Sequence, residues 1–247
     1  MDIKNYLDST YLKKPEQAGL NSAENTEKVK DFIQEAIEHQ FKLIMIRPDH
    51  VALAKEMIVK AHSKVTIGTV ISFPEGTNTL EEKLAEAQTA IDNGADDLDF
   101  VCNYKAFIDG DLETVKTEIL QETALVLQHN KIVKWIIEVA ALNEKQIIQI
   151  CSLIKKIVIS NFKEELYQNV YVKSSTGFYV TENNLPNGAT IPAIIMMLEN
   201  ASPLSIKAAG GVRTYQEALE MIKLGVKRIG TSGALAIASG QDSDSNY

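Results

Sequence analysis

Short apolar runs alternate with longer amphipathic stretches along this chain. Eight of the short runs are strand candidates; they span residues 6–9, 42–47, 65–72, 97–103, 133–139, 170–175, 205–209 and 228–231. Helical periodicity separates them near residues 24–39, 49–61, 79–93, 112–129, 143–159, 188–200 and 214–224. We predict helix starts at Asn143 and Thr214, helix ends at Gly94 and Gly225, and a connecting insertion at 160–169.

This alternation predicts the fold class. Eight strands separated by helices favour a single-domain α/β protein, a (β/α)8 TIM barrel with parallel strands. A doubly wound open sheet is the alternative, since periodicity cannot distinguish a closed sheet from an open one. We expect the barrel to occupy residues 1–238 and the polar residues 239–247 to form a flexible C-terminal tail.

Composition narrows the class of function. The hydrophobic content of 45% is ample for a core, and the net charge of −8 argues against a nucleic-acid partner while still allowing a small anionic ligand. The N-terminus lacks a signal-peptide core, and the chain has no apolar run of the ~20 residues that a membrane span needs. Cys102 and Cys151 cannot support a disulfide framework. We therefore expect a cytoplasmic protein without a membrane partner.

Two lysines occupy apolar strand-like runs that end in small residues. Lys173 lies in the segment 172–178 and Lys207 in the segment 206–213. Burying an ammonium group is costly unless it is paired or its pKa falls. The lysines are 34 positions apart (207 − 173), which is the length of one βα unit, so they belong to adjacent strands. Adjacent strands lie ~4.8 Å apart, so the charge of one lysine can lower the pKa of the other. A desolvated lysine beside a second cation can form a Schiff base with a carbonyl; the plainer interpretation is a lysine that extends to solvent at a strand end.

Carboxylates accompany the lysines. Asp99 lies in the apolar part of the fourth predicted strand, where it needs a partner, either as a structural ion pair or as a proton relay. We expect Asp96 and Asp97 to be solvated residues at the strand entry. Glu138 also faces inward in the predicted barrel and is a further candidate for the site. A structural ion pair with Lys134 or Lys173 is an equally good interpretation of this residue.

Glycine-bearing turns follow the last two strands, at Gly210–Gly211 and at 230–233. In barrels, the loops at these positions often bind phosphate through backbone N–H groups and a short helix, which residues 234–237 could supply here. Arg213 either assists or faces solvent. The four histidines lack metal-ligand spacing, so no metal site is predicted.

The chain resembles the deoxyribose-phosphate aldolase family over nearly its whole length. The resemblance lies in residues 7–13, 69–76 and 93–99 and in the two lysine segments. It implies reversible cleavage of 2-deoxy-D-ribose 5-phosphate to D-glyceraldehyde 3-phosphate and acetaldehyde, with no metal or organic cofactor. It also implies that Lys173 is the Schiff-base lysine, Lys207 the neighbour that lowers its pKa, and Asp99 the acid/base residue acting with Lys207 and water.

The resemblance also implies substrate contacts and an assembly. The expected phosphate contacts are backbone and hydroxyl groups of Gly177, Gly210, Gly211, Gly230 and Ser232, and Thr10 and Thr176 are expected hydroxyl contacts. The terminal Tyr247 either reaches the site to assist proton transfer or belongs to a frayed end. Family members are often dimers or higher assemblies, so a homo-oligomer is expected.

Three segments depart from the family pattern: Arg47 ends the second predicted strand, Gly233 replaces a serine, and 165–169 replaces a tight turn. Arg47 could contact the substrate, which leaves specificity open. The alternatives are a Schiff-base aldolase for another phosphorylated sugar, an isomerase that uses Asp99 as a base, and a sugar-phosphate binding protein without catalysis.

Overall fold

Eight parallel strands close into a barrel in the computed structural model, which describes residues 2–182 and 185–240. Each strand pairs with the next in sequence, and the eighth pairs with the first. The closed barrel is therefore confirmed over the open sheet. The strands are β1 Leu7–Tyr11, β2 Leu43–Ile46, β3 Thr66–Ile71, β4 Asp97–Val101, β5 Ile132–Ile136, β6 Val170–Lys173, β7 Ser205–Ala209 and β8 Arg228–Thr231.

Helices surround the barrel. They are α1 Pro15–Ala18, α2 Ser22–His39, α3 Val51–Lys60, α4 Leu80–Asp92, α5 Tyr104–Asp109, α6 Leu112–Gln128, α7 Glu144–Asn161, α8 Ile191–Ala201, α9 Tyr215–Leu224 and α10 Ala234–Ala238. The predicted caps Asn143 and Thr214 are confirmed, since each side chain accepts a hydrogen bond from the third residue of its helix. Gly225 ends α9 in the left-handed conformation, as predicted.

Several predicted strands are too long at their C-terminal ends. β5 stops at Ile136 and β6 at Lys173, although apolar or small residues continue in both segments. The backbone turns at Glu138 because this residue adopts a left-handed conformation, with φ 54°. The predicted insertion is shorter than expected, because α7 continues to Asn161 and a 3₁₀ helix, Glu164–Asn169, leads into β6.

The two faces of the barrel differ in chemistry. The outer face joins the helices in one large apolar core, where Trp135 also donates from Nε1 to Thr123. The inner face has apolar side chains mainly on β2 and β3, such as Met45 and Val70, whereas charged side chains occupy much of the rest. The barrel interior is therefore where the chain concentrates buried charge.

Within the described ranges, every helix is too short or too polar to cross a bilayer. Cys102 and Cys151 are buried free thiols. The predicted tail falls largely at residues 241–247, which lie outside the described residues, and the Tyr247 prediction lies there with it.

Candidate active site

The two lysines meet at the C-terminal end of the barrel. Lys173 is the last residue of β6, and its partner in the register with β7 is Lys207. The prediction that they lie on adjacent strands is confirmed. Lys207 is fully buried and Lys173 is 3% exposed. Active sites of such barrels lie at this end, so the lysines occupy the expected position for catalysis.

Asp99 joins the lysines to each other. Its Oδ2 atom lies 2.9 Å from the Nζ atoms of both Lys173 and Lys207. Its other oxygen lies 2.9 Å from Nζ of Lys134 on β5. Asp99 is therefore a buried carboxylate with three ammonium partners. Although burial alone would raise the pKa of Asp99, these cations hold it well below its usual value.

Further charges extend the network below the lysines. Lys207 lies 2.7 Å from Asp8 Oδ2, and Asp8 also receives Arg228 through Nε at 2.7 Å. Asp97 contacts Lys134 at 2.6 Å and Arg228 at 3.3 Å. The interior network thus contains three carboxylates (Asp8, Asp97 and Asp99) and four cations (Lys134, Lys173, Lys207 and Arg228).

The cations of this network outnumber its carboxylates by one. The contacts of the lysines indicate that Lys173 is the cation in excess. Among the described residues, Lys173 has one carboxylate within ion-pair distance, Asp99, which it shares with two other lysines. Burial lowers the pKa of Lys173 to about 8, and the charge of Lys207 acts in the same direction against the attraction of Asp99. Loss of its proton would leave the network with three cations and three carboxylates.

Lys207 behaves in the opposite way. Burial favours its neutral form, but Asp8 and Asp99 outweigh burial and raise the pKa of Lys207 above its ordinary value. The adjacent lysines therefore differ in protonation near neutral pH: Lys207 remains an ammonium ion, while part of the Lys173 population is a free amine. Only the free amine can act as a nucleophile.

The supporting charges were missed or misread from the sequence. The prediction that Asp97 is solvated is wrong, because it is 1% exposed and paired inside the barrel. Asp8 and Arg228 were missed, although their position in apolar strands is the same signal that singled out the lysines. Asp96 is half-buried and lies 3.0 Å from Lys131.

Glu138 has different partners from those expected. Its carboxyl group contacts the hydroxyls of Ser175 and Thr176 in the turn after Lys173. Lys134 instead pairs with Asp97 and Asp99. Thr176, a predicted substrate contact, is thus engaged with Glu138, and burial raises the pKa of that carboxyl group.

Two aromatic side chains pack together at the C-terminal end of the barrel. The rings of Phe73 and Phe178 meet edge to face with centroids 5.1 Å apart, and they pack on an apolar cluster that includes Leu12 and Met45. Arg47, for which the sequence allows a substrate contact, donates from Nε to the carbonyl of Leu12 at 2.8 Å and lies over the Phe73 ring. Its guanidinium group therefore joins the segments that follow β1 and β3.

The loops after β6 and β7 border a cleft of about 510 Å³. Its lining includes Gly188, Gly210, Gly211 and Arg213. The backbones approach closely here, since a Cβ atom at Gly188 would lie 2.4 Å from the carbonyl oxygen of Gly210. Two predicted phosphate contacts, Gly210 and Gly211, therefore share this cleft with Arg213.

The other predicted contacts are more scattered. Gly177 borders a neighbouring opening with Lys13, and Ser232 is half-buried in the turn after β8. Thr10 donates to the carbonyl of Asp8. A Cβ atom at Gly230 would lie 3.1 Å from Cε of Lys207, so this glycine leaves space for the lysine side chain.

The fold and site define a (β/α)8 barrel with a buried lysine–carboxylate centre at its C-terminal end. The sequence profile described as DeoC/LacD family aldolase matches residues 6–149. Deoxyribose-phosphate aldolase from Thermococcus gammatolerans is 36% identical over 97% of this chain and 96% of its own. The enzyme of the same name from Streptococcus gordonii is 35% identical over 100% of both chains. The chain belongs to the DeoC/LacD aldolase family.

Solved structures agree with this assignment. The aldolase QR15 superposes with a TM-score of 0.80 at 27% identity, covering 97% of this chain and 95% of its own. A tetrameric deoxyribose phosphate aldolase from Aeropyrum pernix gives a TM-score of 0.76 at 26% identity, with coverages of 96% and 89%.

Proposed function

We propose that this aldolase reversibly cleaves 2-deoxy-D-ribose 5-phosphate to D-glyceraldehyde 3-phosphate and acetaldehyde through a Schiff base on Lys173. The observation that carries the proposal is the unequal pair of lysines: Lys173 has a pKa lowered to about 8, beside a Lys207 that stays charged. The relatives named deoxyribose-phosphate aldolase support the choice of substrate.

The chemistry follows from these protonation states. The free amine of Lys173 attacks the C1 aldehyde of the open-chain sugar, and loss of water gives a protonated imine. The imine withdraws electrons, so the C2–C3 bond breaks and the electron pair moves to an enamine while the C3 hydroxyl loses its proton. D-Glyceraldehyde 3-phosphate leaves, C2 takes up a proton, and hydrolysis of the imine releases acetaldehyde and restores Lys173.

Asp99 and Lys207 support the proton transfers. Asp99 contacts both lysines at 2.9 Å, so it can direct a water molecule that carries a proton from the C3 hydroxyl to C2. Lys207 keeps its proton because Asp8 and Asp99 favour the charged form. Its fixed charge lowers the pKa of Lys173 and stabilises negative charge that develops on the substrate oxygen.

The substrate phosphate would lie in the cleft between the loops after β6 and β7. Gly210 and Gly211 line this cleft and both adopt positive φ, and Arg213 contributes a cation to the lining. Gly177, Gly230 and Ser232 remain proposed phosphate contacts, and Thr10 and Thr176 proposed hydroxyl contacts. We also propose a homo-oligomeric, cytoplasmic enzyme; the tetrameric Aeropyrum pernix relative supports the assembly.

A substrate comparison tests this proposal. Purified enzyme is supplied with 2-deoxy-D-ribose 5-phosphate, ribose 5-phosphate, fructose 1,6-bisphosphate or unphosphorylated deoxyribose, and acetaldehyde and triose phosphate are measured. We expect release of acetaldehyde from deoxyribose 5-phosphate at a kcat/KM at least about tenfold above that for unphosphorylated deoxyribose, since a bound phosphate adds charge-assisted hydrogen bonds. Ribose 5-phosphate and fructose 1,6-bisphosphate carry an oxygen atom at C2 and cannot yield acetaldehyde, so faster cleavage of either would support an aldolase for another sugar. Isomerised sugar without carbon–carbon cleavage would support the isomerase, and binding without turnover would support the binding protein; either contradicts the proposal.

A further inference from the structure

Glu138 links the ends of β5 and β6 beside the candidate catalytic lysine. It lies two residues beyond β5, has a left-handed backbone (φ 54°, ψ 67°) and is 1% exposed. Its Oε1 atom lies 2.6 Å from Oγ of Ser175, and its Oε2 atom accepts a hydrogen bond from the backbone N–H of Thr176 at 3.2 Å. The contacted residues follow Lys173 almost immediately, so Glu138 fixes the turn that carries this lysine into the long loop.

The hydroxyl of Ser175 lies between two oxygen atoms that ordinarily accept hydrogen bonds. Its Oγ atom is 2.6 Å from Oε1 of Glu138 and also 2.6 Å from the backbone carbonyl oxygen of Asn187. It already accepts from the N–H of Gly177 at 2.9 Å. A hydroxyl carries one proton, and a carbonyl oxygen carries none. Two oxygen–oxygen contacts of 2.6 Å around Ser175 therefore need a second proton, which must come from Glu138.

A neutral Glu138 satisfies all of these contacts. Its Oε1–H group donates to Ser175, whose own proton is then free for the carbonyl of Asn187. Oε2 accepts from the hydroxyl and the N–H of Thr176, while the Thr176 hydroxyl accepts from Phe178 N–H at 3.0 Å. An ionised Glu138 would leave two acceptors competing for the single proton of Ser175.

We propose that Glu138 is held as a neutral carboxylic acid at pH 7 and is a positioning residue, whose proton joins the turn after Lys173 to Asn187. Asn187 borders the cleft, and the next residue, Gly188, touches the backbone of Gly210. Loss of the Glu138 proton breaks one of the two contacts of Ser175, which weakens the link between the lysine turn and the cleft and leaves the hydrogen bond from Asn187 Nδ2 to the carbonyl of Gly177 at 3.2 Å. The kinetic consequence rests on the proposed aldolase function, whereas the protonation state does not.

The surroundings of Glu138 favour the neutral form. Burial raises the pKa of Glu138, against the hydrogen bonds from Ser175 and Thr176 and the charge of Lys173 on β6. The opposing charge vanishes when Lys173 loses its proton, so the nucleophilic state of Lys173 and the neutral state of Glu138 support each other. Tyr104 of α5 is a further titratable neighbour, and burial raises its pKa to about 12, so it stays uncharged.

Glu138→Gln and Glu138→Ala separate the proposal from a merely structural role. The glutamine amide can donate to Ser175 and accept from Thr176, as a neutral acid does, while alanine removes both contacts. We expect kcat/KM of Glu138→Gln to stay within about threefold of wild type and that of Glu138→Ala to fall about tenfold or more, as expected for leaving buried polar groups unsatisfied. Equal losses in both variants would overturn the proposal.

Infrared spectroscopy measures the proton without any activity. We expect the wild-type protein at pH 7 to show a protonated-carboxyl band that is absent in Glu138→Gln. Glu122→Gln is the matched control, because Glu122 is a second buried glutamate with a raised pKa outside the barrel interior, and its band must be assigned separately. If substitution of Glu138 removes only ionised-carboxylate absorption, the proposal is wrong, whatever reaction the enzyme catalyses.

Discussion

Lys207→Met tests the electrostatic relation between the two lysines. Both Nζ atoms lie 2.9 Å from the same oxygen of Asp99, so they are at most about 5.8 Å apart, twice that distance. At an effective dielectric constant of about 20, two unit charges at this separation repel by about 3 kcal/mol, which corresponds to about 2 pKa units. Asp99 also loses a competing cation, which favours the charged form of Lys173 further, whereas water that enters the space weakens both effects. We expect the pKa of Lys173 to rise by about 1–2 units.

The assay measures the amine directly, so it does not depend on turnover. Lys207→Met and wild type react with acetaldehyde and cyanoborohydride across the pH range, and peptide mapping gives the labelling rate of Lys173. The midpoint of this profile is expected near pH 8 in wild type, the pKa of Lys173, and between about 9 and 10 in the variant. Lys83→Met, which removes an equally buried lysine paired with Glu118 outside the barrel interior, is expected to leave the midpoint in place. An unshifted or acid-shifted midpoint in a folded Lys207→Met protein would refute the electrostatic account.

Two further substitutions test the supporting structure. Asp8→Asn leaves two buried cations, Lys207 and Arg228, without the carboxylate that they share. Urea unfolding at pH 7 should therefore show a free energy of unfolding lower by about 3–5 kcal/mol. The control Asp96→Asn, at a half-exposed ion pair, should lose less than about 1 kcal/mol. Because the cations lower the pKa of Asp8, this loss should persist above about pH 4 and shrink as pH falls through the folded-state pKa; a loss that grows in acid contradicts the pairing. Gly188→Ala places a Cβ atom against the Gly210 carbonyl. KM should therefore rise about tenfold for phosphorylated deoxyribose but little for the unphosphorylated sugar. Equal changes in KM for the two sugars would contradict the placement of the phosphate in this cleft.

The barrel was predictable because hydrophobic periodicity changes sharply between strands and helices. The bounds of β7 and β8 match the prediction, since turn residues follow each strand at once. Strand ends were overestimated where apolar residues continue into loops, as at Val139, which leaves the sheet yet packs in the outer core. Apolar character reports burial, and a loop that packs on a core is buried without belonging to a strand.

The lysine pair was predictable because one βα unit separates adjacent strands. The rest of the charge network was not, because its partners are distant in sequence: Arg228 and Asp8 are 220 positions apart and meet only when β8 closes against β1. The unequal pKa values of Lys173 and Lys207 also depend on Asp8, which pairs with Lys207. Closure of the barrel thus determines which of the two lysines keeps its proton.

The most direct test of the central claim is borohydride trapping followed by peptide mapping. Enzyme incubated with 2-deoxy-D-ribose 5-phosphate and borohydride should carry a single covalent adduct on Lys173, and Lys173→Leu should carry none and lose turnover. Lys207 and Lys134 should remain unmodified, since each contacts two carboxylates inside the barrel, whereas Lys173 contacts Asp99 alone among the described residues. An adduct on Lys207, or normal turnover by Lys173→Leu, would contradict the assignment of Lys173 as the nucleophile.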